Sequence, residues 1–242
     1  MSVLELRSVS RRYGQGAAAV DALAEVSLTV DAGELVAVMG PSGSGKSTLL
    51  TIAGMLEDAS AGEVLIDGAA ASGLSADARA ALRRRRIGYV FQDFNLLPGL
   101  TAAENVALPL ELDGRSRLGA RSAALAVLER LGLAGLAGRF PDELSGGERQ
   151  RTAIARAVVG QRKLVLADEP TGALDSTTGE SVLRLLRQAC QTGVAGVVVT
   201  HDAQLASRAD RVIYLRDGRI VDRSPARPGP EVLLEGADGR RP

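Results

Sequence analysis

Two kinds of segment alternate along the middle of the chain. Short, nearly unbroken apolar runs are typical of buried strands, and segments with helical composition or spacing stand between them. This alternation predicts βαβ units around a parallel sheet. The predicted strands are residues 35–39, 87–91, 164–168 and 196–200, and the predicted helices are residues 45–53, 76–86, 145–159 and 176–191.

The ends of the chain and one central segment follow other patterns. Apolar and polar residues alternate at 3–7 and 26–30, which predicts exposed antiparallel strands with Gly-rich turns. Residues 62–68 indicate a further short strand, and a turn at Asp217-Gly218 indicates a terminal hairpin. Residues 94–140 are rich in Leu, Ala and Glu at helical spacing, so they predict a helical insert.

The composition excludes several classes of protein. With 45% hydrophobic and 24% charged residues, the 242-residue chain is a globular protein that can bury a sizeable core. Its 29 basic and 29 acidic residues balance, and only 2% are aromatic, which argues against a nucleic-acid partner. The single cysteine, Cys190, excludes an intramolecular disulfide and a multi-thiolate zinc site.

No run of about 18 apolar residues is present, so we expect no membrane span and no direct insertion into lipid. The first residues lack the basic and apolar regions of a secretory signal. The sequence therefore predicts a cytoplasmic protein that reaches a membrane only through another subunit.

A phosphate-binding pattern stands between the predicted strand at 35–39 and the helix at 45–53. Residues 40–47 match G-x-x-x-x-G-K-[ST], in which glycines let backbone N–H groups converge on phosphate oxygens. We expect Lys46 to contact the β- and γ-phosphates and the Ser47 hydroxyl to bind Mg²⁺. The predicted nucleotide-binding residues of this loop are Gly40, Pro41, Ser42, Gly43, Ser44, Gly45, Lys46, Ser47 and Thr48.

Two carboxylates end the predicted strand at 164–168, at the edge where open α/β sheets bind ligands. We expect Asp168 to hold Mg²⁺, directly or through water, and Glu169 to act as general base for the attacking water. Gln92 follows the strand at 87–91 and offers a carbonyl to the metal and an amide to the water.

A second glycine-bearing helix start lies at Ser145, Gly146 and Gly147. Ser145 is a good N-cap, and the two glycines leave backbone N–H groups exposed. This segment predicts a second phosphate contact.

The loop at 40–47 combined with the Leu-Ser-Gly-Gly string at 144–147 resembles the nucleotide-binding subunits of ATP-binding-cassette (ABC) transporters. The resemblance covers about residues 3–222. It implies an α/β fold: a P-loop NTPase (RecA-like) core with a parallel sheet, an antiparallel β subdomain and a helical subdomain at about 94–158. Residues 1–222 are then one nucleotide-binding domain, and residues 223–242 a disordered tail.

The resemblance also implies roles for single residues. Tyr13 matches the aromatic residue that stacks on adenine, and Gln92 matches the Q-loop glutamine. Glu169 matches the catalytic glutamate and His201 the switch histidine, while Asp175 belongs to the D-loop at 173–175 and contributes to nucleotide binding.

In this family the ATP site is shared, with Lys46 of one subunit facing Ser145 and Gly147 of another. One set of motifs in the chain implies a homodimer with two composite sites that bind ATP and Mg²⁺. An integral-membrane permease is the second implied partner.

Residues 91–98, 104–110 and 168–175 look like the MacB, LolD and FtsE branch, which serves macrolide export, lipoprotein release and cell-division control. We therefore expect a Mg-dependent ATPase on the cytoplasmic face of the plasma membrane. It would power a separate FtsX/MacB-type permease in the export or extraction of a lipophilic or peptide-like substrate. One alternative is a regulatory ABC ATPase that signals through a membrane partner and transports nothing.

Another alternative is a soluble ABC ATPase of DNA repair or translation. Such proteins usually carry long insertions, whereas the span between Lys46 and Ser145 is short here, which argues against this alternative.

The candidate docking surface for the permease is apolar and lies beside Gln92. Alternatively, its residues belong to the core of the helical insert. The surface consists of Phe94, Leu96, Leu97 and Leu100.

Overall fold

The structure is a computed structural model that describes residues 1–71, 73–172, 174 and 176–225. Within these residues the strands are β1 (Ser2–Tyr13), β2 (Val20–Asp31), β3 (Leu35–Met39), β4 (Ala61–Ile66), β5 (Ala69–Ala70), β6 (Ile87–Val90), β7 (Leu164–Asp168), β8 (Ala195–Val199), β9 (Arg211–Arg216) and β10 (Arg219–Pro225). The helices are α1 (Lys46–Ala53), α2 (Ala76–Arg86), α3 (Ala102–Leu112), α4 (Arg117–Arg130), α5 (Gly146–Val158), α6 (Ser176–Gln191) and α7 (Ala203–Ala206), with 3₁₀ turns at Gly16–Ala18, Ala134–Leu136 and Pro141–Glu143.

The larger sheet contains six strands in the order β10-β9-β3-β8-β7-β6. All neighbours from β9 to β6 pair in parallel, and β10 closes a hairpin antiparallel to β9. The predicted parallel sheet and terminal hairpin are confirmed. Because β3, β6, β7 and β8 run in one direction, the loops that leave their carboxyl ends lie along one edge of the sheet.

The smaller sheet is antiparallel, in the order β2-β1-β4-β5. Bulges interrupt the pairing of β1 with β2, and each strand is 12 residues long. The prediction that these strands are exposed is wrong for one face, because Leu4, Leu6, Val26 and Val30 are buried there.

Two apolar cores cover the faces of the six-stranded sheet, and β3 contributes alternate residues to each. Val36 and Val38 pack in the first core with α1 and the smaller sheet. Ala37 lies in the second core, which α5 and α6 complete. Cys190 is buried in the second core, and this burial raises the pKa of its thiol to about 12.

Helices α3, α4 and α5 form the predicted helical region around a third core that includes Val106, Ala124, Leu128 and Ala155. Helix α5 also sends Ile154 into the second core, so it joins this region to the larger sheet. Among the described residues, no helix combines the length and the apolar character that a membrane span requires.

The last strand of the domain is longer than the sequence predicts. Strand β10 continues to Pro225, three residues beyond the predicted end of the domain at 222. Residues 226–242 and Asp175 lie outside the described residues, so the predicted tail and the predicted nucleotide contact of Asp175 remain predictions.

Candidate functional site

The loop between β3 and α1 is pressed against its neighbours so closely that two positions admit only glycine. A Cβ on Gly40 would lie 2.0 Å from the carbonyl oxygen of Leu215, and one on Gly45 would lie 2.2 Å from that of Ala22. Gly45 also has a φ of 102°, which disfavours any side chain. The loop therefore reaches its path only with these glycines, and helix α1 starts directly after it.

Lys46 folds its side chain back across this loop. Its ammonium group donates hydrogen bonds to the carbonyl oxygens of Gly40 and Pro41, each at 2.8 Å. An ammonium carries three donors, so one N–H remains for a further acceptor. A compact positive charge held at the amino end of a helix is suited to phosphate oxygens.

Asp168 ends β7 beside the first turn of α1. The Ser47 side chain hydrogen-bonds the Asp168 carboxylate and tends to lower its pKa, but burial is the larger effect. Burial and the neighbouring Glu169 raise the pKa of Asp168 above its ordinary value. A cation at this point would therefore stabilise the charged form of Asp168.

Glu169 occupies a left-handed backbone conformation, with a φ of 43°, directly after β7. Its N–H donates to the carbonyl oxygen of Val199 at 3.0 Å, and its own carbonyl accepts from the N–H of Gly172 at 3.1 Å. Such strained residues persist where their surroundings fix them, and they cluster at functional sites. The Glu169 carboxylate also contacts Nδ1 of His201 at 2.9 Å.

These residues share one cavity of about 520 Å³ at the carboxyl edge of the larger sheet. The predicted residues that line it are Gly40, Ser42, Gly43, Gly45, Lys46, Ser47, Thr48, Gln92, Asp168, Glu169 and His201. Ala22, Gly172 and Val199, for which the sequence predicts no role, line it as well. Ala22 carries no motif, and its place depends on the packing of β2 against the loop.

The other predicted residues that the structure describes do not line this cavity. Pro41 and Ser44 belong to the loop, and the Ser44 side chain is buried. Tyr13 lies at the end of β1, where its hydroxyl donates to the Glu57 carboxylate at 2.6 Å. The Arg11 guanidinium lies 4.6 Å from the centre of the Tyr13 ring.

Ser145, Gly146 and Gly147 form the start of α5, also away from the cavity. The Ser145 hydroxyl accepts from the N–H of Glu148 at 3.3 Å, and the Glu148 carboxylate accepts from the N–H of Ser145 at 2.7 Å. This reciprocal cap confirms Ser145 as the N-cap, and the second bond is the main reason why the pKa of Glu148 is lowered.

Ser47, Gln92 and Asp168 can hold Mg²⁺ only if phosphate oxygens supply further ligands. Among the described residues, no group of three or more His, Cys, Asp and Glu side chains is placed to hold a metal. Mg²⁺ usually takes one or two protein ligands and completes its shell with water and phosphate oxygens. A hydroxyl bonded to a carboxylate beside a phosphate-type loop matches that requirement.

Comparison with known proteins decides the family. The sequence pattern described as ABC transporter matches residues 23–172. The chain belongs to the ABC transporter family.

Two relatives of this ABC cassette are macrolide export ATP-binding/permease proteins named MacB. The protein from Sodalis glossinidius (strain morsitans) is 47% identical over 231 residues, which cover 93% of this chain and 35% of the relative. The protein from Burkholderia pseudomallei (strain K96243) is 48% identical over 219 residues, which cover 90% of this chain and 34% of the relative. The chain therefore spans about a third of the length of these relatives.

Two solved structures of the cassette MJ0796 are also similar, each 44% identical and covering 93% of this chain and 99% of the other. The dimeric structure of MJ0796, a bacterial ABC transporter cassette, aligns with a TM-score of 0.85. The dimeric post-hydrolysis state of MJ0796, bound to ADP and Pi, aligns with a TM-score of 0.86. The predicted family and the predicted α/β P-loop fold are therefore confirmed.

Proposed function

We propose that this ABC cassette binds ATP with Mg²⁺, hydrolyses it and drives a membrane permease of the MacB type. The observation that carries the proposal is the convergence of Lys46, Ser47, Asp168, Glu169 and His201 on one cavity. A cation for phosphate, a hydroxyl and a carboxylate for a metal, and a fixed carboxylate for water are the groups that ATP hydrolysis needs.

Glu169 and Lys46 have the central roles in the proposed reaction. Glu169 accepts a proton from the water that attacks the γ-phosphorus, while the bond from that phosphorus to the leaving oxygen of ADP breaks. Lys46 balances the negative charge of the phosphates, and His201 holds the Glu169 carboxylate through its 2.9 Å contact. Mg²⁺, held by Ser47, Gln92 and Asp168, would supply charge neutralisation at the phosphate oxygens.

The exposed start of α5 supports a homodimer with two shared ATP sites. Ser145 is exposed, and it precedes helical N–H groups that suit a phosphate. Because Ser145, Gly146 and Gly147 do not line the cavity of their own chain, they are available to the nucleotide of a second copy. MJ0796, the similar cassette, is dimeric.

The candidate docking surface supports a permease partner, and such a partner would place the cassette on the cytoplasmic face of the plasma membrane. None of its four residues belongs to the buried cores of the described chain, and Leu97 is 45% exposed. The buried side chain of Asn105 holds this turn, since it accepts from the N–H of Leu97 at 2.8 Å and donates to the carbonyl of Leu100 at 2.9 Å. A rigid apolar turn beside Gln92 is suited to sense or drive a partner.

Hydrolysis is tested by phosphate release from the purified chain, alone and with its permease. We expect release with ATP and Mg²⁺, and loss of release when EDTA removes the metal. Lys46→Ala is the control, because it removes the phosphate-facing charge. Release no faster than that of the control under both conditions would contradict the proposed activity.

Docking is tested by changing Leu96 and Leu97 together to Ser. We expect weaker co-purification with the permease and less stimulated hydrolysis, while the chain alone still binds ATP. Leu118 and Leu125, exposed on α4, changed together to Ser provide the matched control. Equal losses of co-purification and of stimulated hydrolysis in both double variants would contradict a specific docking surface.

Export from permease-containing vesicles distinguishes transport of a lipophilic or peptide-like substrate from regulation alone.

A further inference from the structure

Helix α5 presents two arginines to the segment that follows Gln92. Nη1 of Arg156 donates to the carbonyl oxygen of Asn95 at 2.5 Å, and Nη2 donates to that of Phe94 at 2.7 Å. Arg149 lies two turns earlier on the same face, and its guanidinium is 5.5 Å from the centre of the Phe94 ring. One guanidinium therefore holds the backbone of this turn, and a second lies near its aromatic ring.

This turn has an unusual backbone that needs support. Phe94 and Asn95 are consecutive residues with positive φ angles of 63° and 47°, which side chains disfavour. Their two carbonyl oxygens converge on Arg156, and the planar fork of a guanidinium matches a pair of acceptors better than a point charge does. The Arg156 contacts thus stabilise a backbone conformation that side chains disfavour.

Among the described residues, Arg156 has no acidic partner that would explain its position. Within the described part of the chain, its hydrogen bonds go to these two carbonyls. Burial is the sole cause that lowers the pKa of Arg156, with no opposing contribution from a carboxylate. A partly buried guanidinium is costly unless its donors are used, and the two carbonyls accept from it here.

Helix α5 packs on β6, the strand that precedes Gln92, and bonds the backbone directly after Glu169. Gly88 of β6 packs on α5 so closely that a Cβ there would lie 1.9 Å from the carbonyl oxygen of Ala157. Nε2 of Gln150 donates to the carbonyl oxygen of Pro170 at 2.6 Å, directly after Glu169. The contacts of Arg156 extend this attachment past the end of β6 to the turn after Gln92.

We infer that Arg156 is a positioning residue that couples Gln92 to helix α5. By holding the two carbonyls that follow Gln92, Arg156 makes this glutamine move with the helix whose first turn carries Ser145, Gly146 and Gly147. The inference rests on the proposed hydrolysis of ATP and adds the contact through which a displacement of α5 reaches the cavity.

The first test compares Arg156→Met with Arg156→Lys in the full chain. Arg156→Met keeps an apolar stem but removes both donors. We expect its kcat to fall roughly ten- to hundredfold, as misplaced groups cause, with a KM for ATP close to that of the wild type. Arg156→Lys keeps the charge but lacks the planar fork of the guanidinium, so its kcat should lie between that of Arg156→Met and that of the wild type.

Arg162→Met is the matched control for the loss of a buried arginine. Arg162 is buried and donates to the carbonyl oxygen of Arg84, at the opposite end of β7 from Glu169. We expect Arg162→Met to lower the thermal unfolding temperature while kcat stays near that of the wild type. If Arg156→Met does not fold, Arg156→Lys carries the comparison with this control.

The second test combines Arg156→Met with Gln92→Ala. If Arg156 acts through Gln92, the double variant hydrolyses ATP no more slowly than Gln92→Ala alone. The inference is overturned if the loss of kcat in the double variant equals the product of the losses in the two single variants. It is also overturned if the kcat of Arg156→Met lies within about twofold of the wild type. A wild-type chain without hydrolysis would instead refute the proposed function, so the two failures are distinguishable.

Discussion

Nδ1 of His201 lies 2.9 Å from Oε2 of Glu169. This distance suits a hydrogen bond in which the imidazole Nδ1–H donates to the carboxylate oxygen. The side chain of Glu169 is 16% exposed and that of His201 is 74% exposed. An exposed ring therefore orients a largely buried carboxylate, and a molecule that contacts the ring also acts on the carboxylate.

Loss of the His201 imidazole should slow hydrolysis. His201→Ala should lower the rate of hydrolysis about tenfold or more, because the Glu169 carboxylate loses the donor that orients it. His201→Asn places an amide donor near the position of Nδ1 and should recover part of the loss. Phosphate release at saturating ATP measures both. Equal rates in His201→Ala and the wild type would contradict the role of the contact.

Tyr13 should contribute to nucleotide affinity by stacking on adenine. Alanine substitution of an aromatic residue that stacks on a base costs ~1–3 kcal/mol, so Tyr13→Ala should weaken ATP binding about tenfold or more. Tyr13→Phe retains the ring and should bind ATP like the wild type. Titration with a fluorescent ATP analogue measures the affinities, and unchanged binding by Tyr13→Ala would remove the assignment.

Tyr13→Phe should nevertheless change how stability depends on pH. The Tyr13 hydroxyl is the main cause that lowers the pKa of Glu57 from its ordinary 4.5. A depressed carboxyl pKa stabilises the folded state above the ordinary value, and the effect is lost as the pH falls. The wild type should therefore unfold at a higher temperature than Tyr13→Phe at pH 7. That difference should shrink as the pH falls below about 4.5.

Local patterns predicted the elements of the larger sheet, but they did not predict its strand order. β3 and α2 begin and end where the sequence places them, since each has a clear pattern and clear flanking residues. The length of β1 was missed because its bulges break the alternation on which the prediction relied. The position of β3 between β8 and β9 depends on pairing between residues far apart in the chain.

Lys46 should be required as a lysine. The chain has 29 basic residues, and Lys46 and Lys163 are its only lysines. Lys46→Arg keeps the charge but replaces a compact ammonium, bonded to two loop carbonyls, with a planar fork of different reach. We expect a large loss of hydrolysis and weaker ATP binding. Lys163→Arg is the matched control and should hydrolyse ATP at the wild-type rate. Hydrolysis by Lys46→Arg at the wild-type rate would contradict the assignment of Lys46 to the phosphates.

The candidate site divides between local motifs and long-range contacts. The sequence places most residues of the loop at 40–47 in the cavity together with Asp168 and Glu169, because a motif or a strand end marks each of them; Pro41 and Ser44 are the exceptions. The contacts of Arg156 with Phe94 and Asn95 could not be predicted from the sequence. They join residues about 60 positions apart and depend on left-handed backbone that the residue types do not indicate.

Glu169→Gln should separate ATP binding from hydrolysis. The amide keeps the size of the side chain but removes the basic carboxylate, and the loss of a general base typically lowers the rate 10²–10⁴-fold. Lys46, Ser47 and Asp168 are unchanged, so ATP should still bind. Because opening of the proposed dimer requires hydrolysis, the variant should accumulate as a dimer in ATP and Mg²⁺.

Size-exclusion chromatography of Glu169→Gln measures this accumulation, with ADP as the nucleotide control. The double variant Glu169→Gln/Ser145→Arg adds a protein control. A bulky cation at the exposed N-cap blocks the proposed contact with the partner's phosphate while the cavity that binds ATP stays intact. We expect a dimer from the single variant in ATP, and monomers from the double variant and in ADP. A monomeric single variant that hydrolyses ATP at the wild-type rate would contradict both the general base and the shared site. A dimer that forms equally in ADP would contradict closure by the γ-phosphate.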